Sequence, residues 1–208
     1  MPPFTVLHVC MGNICRSPMA ERLLVHAVRT RLARSAAGPG AEAVPAPEEL
    51  VFSHSAGTGG WHAGDDMNPP AARQLRARGA DSTGFQARKL GAEHIEATDL
   101  VLTATADQAE YVVALRPDAA ARTFVLGHFG RLLNSIDAAA LPPSAPTPQA
   151  VYARGIALVA AADDARRGAA PLVGDDLEDP WGRGEQCFIQ VADEIEETLY
   201  PLAALLLP

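Results

Sequence analysis

Cys10-Met11-Gly12-Asn13-Ile14-Cys15-Arg16-Ser17 stands between an apolar run, residues 5–9, and an amphipathic stretch that opens Pro18-Met19-Ala20-Glu21. The order reads as strand, tight loop, helix. Five residues between Cys10 and Arg16 suffice to wrap the backbone nearly once around a tetrahedral anion, with successive N–H groups turned inward as a nest. Gly12 is expected at positive φ, and Asn13 tolerates the left-handed region better than most residues. Ser17 suits an N-cap and Pro18 the first helical position, so the loop is expected to end at a helix N-terminus, where partial positive charge favours a bound anion. Arg16 adds a permanent charge whose planar fork matches two oxygens at once, and the same field favours the thiolate of Cys10. One loop therefore carries a nucleophile and an oxyanion cradle.

Other phosphate and metal chemistries lack their residues. Neither GxGxxG nor GxxxxGK[ST] occurs. Cys10 and Cys15 are spaced CxxxxC, Cys187 is the remaining cysteine, and no histidine pair stands at ligand spacing, whereas a closed structural zinc site takes four ligands. No metal and no cofactor is expected. With 208 residues and 48% hydrophobic content the chain is long enough to bury one core, so a single domain over 1–208 is expected. A net charge of −8 argues against a nucleic-acid partner, which calls for a basic face. Three cysteines, one of them needed as a thiolate, suit a reducing compartment, the cytoplasm. Residues 1–5 carry no basic leader and the apolar run at 202–207 is too short for a bilayer, so no membrane partner is expected.

Along the chain, Ala20, Leu24, Val28 and Leu32 recur at helical spacing. Residues 35–49 and 138–149 are rich in Pro, Gly and Ala and read as loops. A strand is expected at 50–53, then the loop His54-Ser55-Ala56-Gly57-Thr58-Gly59-Gly60-Trp61-His62. A helix from Asn68-Pro69-Pro70 is stopped by Gly79, and a short helix at 91–98 precedes a buried strand at 100–104. Thr105 and Gln108 form a capping box for a helix stopped by Pro117, and a fourth strand is placed at 123–126. Helices are expected at 129–136, at 151–167, and at the end, where Phe188, Val191, Ile195 and Leu199 share a face. Such alternation argues for an α/β fold, a doubly wound four-stranded parallel sheet with its site outside the carboxyl ends of the strands.

Cys10, Gly12, Asn13, Cys15, Arg16, Ser17, Pro18 and Glu21, placed at a strand end, resemble the signature of the low-molecular-weight protein tyrosine phosphatases, whose fold is flavodoxin-like. Ser55-Ala56-Gly57-Thr58 with Trp61 is similar to the family's second loop, and Asp179-Pro180-Trp181 to its general-acid loop. The resemblance implies a hydrolase with Cys10 as nucleophile, forming a phosphocysteine. Phosphate and other oxyanions would be held by the backbone of Met11, Gly12, Asn13, Ile14, Cys15 and Arg16, by Ser17 and by the Arg16 guanidinium. Asp179 would be the acid, with Asp176 the fallback. Loop support would come from Asn13, Ser17 and Ser55, and Cys15 would be the redox partner of Cys10.

Trp61 reads equally as a wall of the substrate cleft or a loop anchor. Trp181 joins the cleft beside Asp179 and, with Gly182, stands where relatives with a paired-tyrosine loop carry phosphorylatable tyrosines. Many members carry a histidine that supports the loop asparagine where this chain has Phe85, so that support is missing or replaced. Loops at 35–49 and 138–149 read as insertions. Ile14, a branched apolar residue, goes in this family with a phosphotyrosine protein or small aryl phosphate, whereas threonine there goes with phosphoarginine. Alternatives of the same fold are a protein-arginine phosphatase and a thiol-dependent arsenate reductase, the latter disfavoured because only Cys15 and Cys187 could pass on a disulfide. A non-catalytic phosphate-binding module would require loss of nucleophile, arginine or acid, and all three are present.

Overall fold

The computed structural model describes residues 1–36 and 45–207. The elements run β1 (Phe4–Cys10), α1 (Arg16–Ala36), α2 (Pro47–Leu50), β2 (Val51–Gly57), α3 (Pro69–Ala77), α4 (Ala92–Glu96), β3 (Leu100–Thr103), α5 (Ala106–Leu115), β4 (Thr123–Val125), α6 (Leu126–Leu133), α7 (Pro148–Ala165) and α8 (Glu185–Leu206). The four strands form a parallel sheet in the order β2-β1-β3-β4. This is the four-stranded α/β arrangement expected from the alternation of elements.

β1 is apolar because both its faces are covered, as in other parallel sheets flanked by helices. Phe4, Val6 and Cys10 project to the side packed by α1, α6 and α8, and Leu7 and Val9 to the side where Ile95, Val101 and Val112 lie. The chain leaves β1 through α1 to pair β2 on one side, then crosses to pair β3 on the other. Strand order therefore reverses at β1, and the crevice at its carboxyl end is where such sheets place ligands. Cys10 is the last residue of β1 and Gly57 of β2.

Several boundaries differ from expectation. Leu50 closes the helical turn α2 rather than opening a strand, because Pro47 and the acidic Glu48 and Glu49 favour a helix start. α6 follows β4 directly and ends at Leu133, since Leu126, Phe129, Leu132 and Leu133 make its buried stripe. The loop expected at 35–49 lies mainly outside the described residues. At 138–149 the loop includes a 3-10 turn, Ala138–Ala140, and Thr147 Oγ1 accepts from Ala150 N to cap α7. Buried Arg154 donates to the carbonyls of Ala138, Pro142 and Leu205, tying this loop to the end of α8.

Candidate active site

The loop after β1 is gripped from outside through its carbonyls. Cys10 O accepts from Thr58 N at 3.0 Å, Met11 O from Gly59 N at 2.9 Å and Ile14 O from Asn68 N at 2.9 Å. Turning these carbonyls outward leaves the loop amides for an anion in the centre. Gly57 permits the grip, because a Cβ there would meet Met11 O at 2.7 Å. The left-handed residue is Asn13, at φ 55°, and Gly12 is not at positive φ. Space is tight at position 12, where a Cβ would lie 3.1 Å from the His62 ring and the ring would have to give by a few tenths of an ångström.

α1 begins at Arg16, so Ser17 lies within the first turn rather than at the cap. Its hydroxyl instead faces the nucleophile candidate: Cys10 Sγ lies 3.0 Å from Ser17 Oγ, both residues being buried. Asn13 Nδ2 donates to Ser17 Oγ and to Ser55 Oγ, each at 2.9 Å. Asn13, Ser17 and Ser55 thus meet as the resemblance implies. The support left open at Phe85 is replaced: Phe85 packs into the core, and the Arg88 main-chain N–H donates to Asn13 Oδ1 at 2.9 Å. Sequence reasoning missed Arg88, and a backbone donor leaves no sequence signal.

Cys15 is buried, and its thiol is pushed up to about 12, first by burial and then by the negative charges of Cys10 and Asp179. It stays protonated, so the two loop cysteines have different chemistry available to them.

Arg16 is 4% exposed, with Nη1 donating to Leu177 O at 3.1 Å and Nη2 to Asp179 Oδ2 at 2.7 Å. Asp179 reaches the cleft because three consecutive residues shortly before it, Asp175 to Leu177, are each tied down. Asp175 takes both Arg131 Nε and Nη2 at 2.7 Å. Asp176 Oδ1 accepts from Ala106 N at 2.9 Å at the start of α5. Leu177 N donates to Ala104 O at 2.8 Å. The fallback acid Asp176 is therefore engaged at a helix N-terminus, and Asp179 is the carboxylate that lines the cleft together with Cys10.

These groups line a cleft of about 210 Å³ together with Met11, Ile14, Trp61, His62 and Trp181. Trp61 and Trp181 are 66% and 64% exposed and both border the cleft. The Trp61 ring lies back over Gly59, where a Cβ would fall 2.0 Å from it. His62, given no role in the sequence reading, borders the cleft and pairs through Nδ1 with Asp65 Oδ2 at 2.9 Å.

Comparison with known proteins agrees with this geometry. Residues 5–139 match the family described as low molecular weight phosphotyrosine protein phosphatase. The low molecular weight protein-tyrosine phosphatase A of Mycobacterium tuberculosis is 38% identical over 118 residues, 57% of this chain and 63% of that protein. The chain thus spans less than two thirds of that relative's length. The structure of the Erwinia amylovora tyrosine phosphatase amsI has a TM-score of 0.61 at 20% identity, covering 96% of this chain and 90% of that one. The YwlE arginine phosphatase from Geobacillus stearothermophilus has a TM-score of 0.60 at 23% identity, covering 97% and 92%. At those identities the two structures speak to the fold alone, and the acid loop lies beyond the matched residues. The match from β1 to beyond α6, well over half of the chain, is what decides descent: the chain belongs to the low molecular weight phosphotyrosine protein phosphatase family.

Proposed function

We propose that the protein is a single-domain phosphomonoester hydrolase acting through a phosphocysteine, with a phosphotyrosine protein or small aryl phosphate as substrate. The observation that carries this reading is that Arg16 and Asp179, 163 residues apart in sequence, meet at 2.7 Å in the cleft that Cys10 floors. Cys10 Sγ attacks phosphorus while the loop amides and the Arg16 fork hold the transferring oxygens. Phosphoryl oxygens on that fork displace Asp179 from Arg16, and the released carboxylate takes up a proton from solvent and turns toward the leaving oxygen. The phosphorus–oxygen bond breaks as Asp179 gives its proton to that oxygen. Water then attacks the phosphocysteine, Asp179 takes the water's proton, and the Cys10 thiolate leaves, stabilised by the Ser17 hydroxyl.

Substrate choice rests on the walls. Trp61 and Trp181 offer two flat faces for a ring, and Ile14 presents its branched side chain to the cleft, the residue type that the resemblance associates with phosphotyrosine. We also place the protein in the cytoplasm, because its chemistry needs reduced thiols and Cys10, Cys15 and Cys187 are all free. Among the described residues no helix is long and apolar enough to cross a membrane.

The test is to assay a phosphotyrosine peptide, a phosphoarginine peptide and arsenate side by side, with Cys10→Ser as control. Phosphotyrosine hydrolysis that disappears in Cys10→Ser, while tungstate still binds, is the expected result. Turnover of phosphoarginine or arsenate in its place overturns the substrate class. Oxyanion binding without turnover of any of the three overturns the enzyme reading.

A further inference from the structure

A groove beside the catalytic cleft has no part in the reaction just described. It encloses about 490 Å³ between the start of α5 and the acid loop, and Met11, Arg16 and Asp179 border it as well as the cleft. A substrate seated in the cleft therefore has a second space open to the atoms attached to it. One wall of that space is Tyr111 of α5, an aromatic residue 38% exposed. The charge around it is mostly of one sign. Asp107, Asp176, Glu178 and Asp179 all line it, and Arg16 is the one cation among the described lining residues. Asp176 and Glu178 are each partly engaged, by Ala106 N and by Arg183, whereas Asp107 has no partner among the described residues. At the end shared with the cleft, Arg16 is 4% exposed and its Nε makes no hydrogen bond to any described residue, so a buried donor stands there for an anion. The space is thus polarised, with a donor for an anion at the shared end and an excess of carboxylates along the rest.

We propose that this groove is a specificity subsite that takes a lysine or arginine side chain next to the phosphotyrosine of a peptide substrate. The inference rests on the phosphatase reading for the anion in the cleft and adds the chemistry of the residue beside it. A ligand matched to both spaces carries a phosphoryl group at the Arg16 end and a positive charge a short way along the chain. A phosphotyrosine peptide with a basic neighbour has that form. Extended chain advances about 3.3–3.6 Å per residue, so positions up to three from phosphotyrosine stay within about 11 Å of it. The aliphatic stem of the basic residue lies along Tyr111 and its charged head faces Asp107, with a cation–π contribution where the head crosses the ring. An acidic neighbour meets the same carboxylates and loses water without gaining a partner. The net charge of −8 draws basic peptides toward the whole molecule, but only the groove gives that attraction a fixed place relative to the cleft.

Binding and turnover are measured separately, so that the two readings fail separately. Phosphotyrosine peptides with arginine or glutamate at each position from −3 to +3 are titrated into Cys10→Ser by fluorescence anisotropy. Wild-type kcat/KM is measured on the same peptides, alongside a small aryl phosphate that has no flanking residue. The expected result is about five-fold tighter binding, with a matching rise in kcat/KM, for arginine over glutamate at one or two adjacent positions. That preference should fall to about two-fold or less when Asp107→Asn is added, reverse with Asp107→Lys, and shrink with Tyr111→Ala. A preference equal at every position, or one that survives Asp107→Lys, reports only the overall charge and overturns the inference. A Cys10→Ser protein that binds the arginine and glutamate peptides alike, or binds neither, overturns it too. Absent turnover with the preference retained in binding overturns the phosphatase reading and leaves the groove assignment standing.

Discussion

Arg16 Nη2 lies 2.7 Å from Asp179 Oδ2, so the group proposed to hold phosphoryl oxygens and the group proposed to protonate the leaving oxygen contend for the same fork. Asp179 is 45% exposed, which limits the worth of the pair through solvent screening. Removing its charge has two opposed effects. Asp179→Asn should bind tungstate or phosphate several-fold more tightly, as expected for a partly exposed pair. It should also hydrolyse aryl phosphates with basic leaving groups about 100-fold or more slowly, and those with good leaving groups much less so. A graded series of aryl phosphates with tungstate competition reads both effects. An equal loss across the series removes Asp179 as the acid. Asp176→Asn should keep the wild-type pattern.

Arg16→Lys preserves charge but loses the planar fork that reaches both Leu177 O and Asp179. Its loss should fall on kcat, by about 100-fold or more, with KM little changed, because the two-pronged contact strengthens in the transition state. Steady-state kinetics on one aryl phosphate decide it, and a kcat within a few-fold of wild type rejects the role.

Cys15 is held protonated partly by the negative charge of Cys10. Oxidation of Cys10 to the neutral sulfenic acid removes that charge, so Cys15 becomes easier to ionise when a disulfide partner is needed. After mild peroxide treatment, mass mapping should find a reducible Cys10–Cys15 disulfide in wild type and sulfinic acid at Cys10 in Cys15→Ser. Equal over-oxidation of Cys10 in both proteins rules out protection.

Acid should weaken the fold through two histidines that take no part in the cleft. Burial, with the charge of His54, holds His8 down to about 3, and burial, with the charges of Arg88 and His94, holds His54 down to about 4. Unfolded histidine titrates near 6.5, so below that pH the unfolded chain binds protons that the native chain refuses. Their contribution is complete above about pH 6.5 and is lost as pH falls toward 4 and then 3. Glu21, pushed upward by burial, works in the opposite sense as pH drops through its folded pKa. Urea midpoints at pH 7.0, 6.0 and 5.0 should fall steadily, with a slope approaching about two protons per molecule. A flat series contradicts the buried neutral state of both rings.

What the sequence disclosed about the site followed from contiguity. Cys10 to Ser17 carry their chemistry within a single loop, so residue types and spacing were enough to read it. Asp176 and Asp179 could not be ranked in that way, because only two residues separate two similar carboxylates. The distinction came from Ala106 N, 70 residues away, which engages one of them. The parallel sheet was legible in the alternation of apolar runs with helical stripes. The boundaries of α2 and α6 were not, because burial against distant elements set them.

Anchoring Asp175, Asp176 and Leu177 one after another removes rigid-body freedom from the base of the acid loop. The organisation of that loop is completed when the chain folds, before any encounter with a phosphate ester. The tip from Glu178 to Gly182 lies beyond these anchors, and there Gly182 turns the chain at φ 73°. The stretch from Arg166 to Leu172 is mechanically insulated from the cleft, since length added there ends at the Asp175 clamp without shifting the register of Asp179.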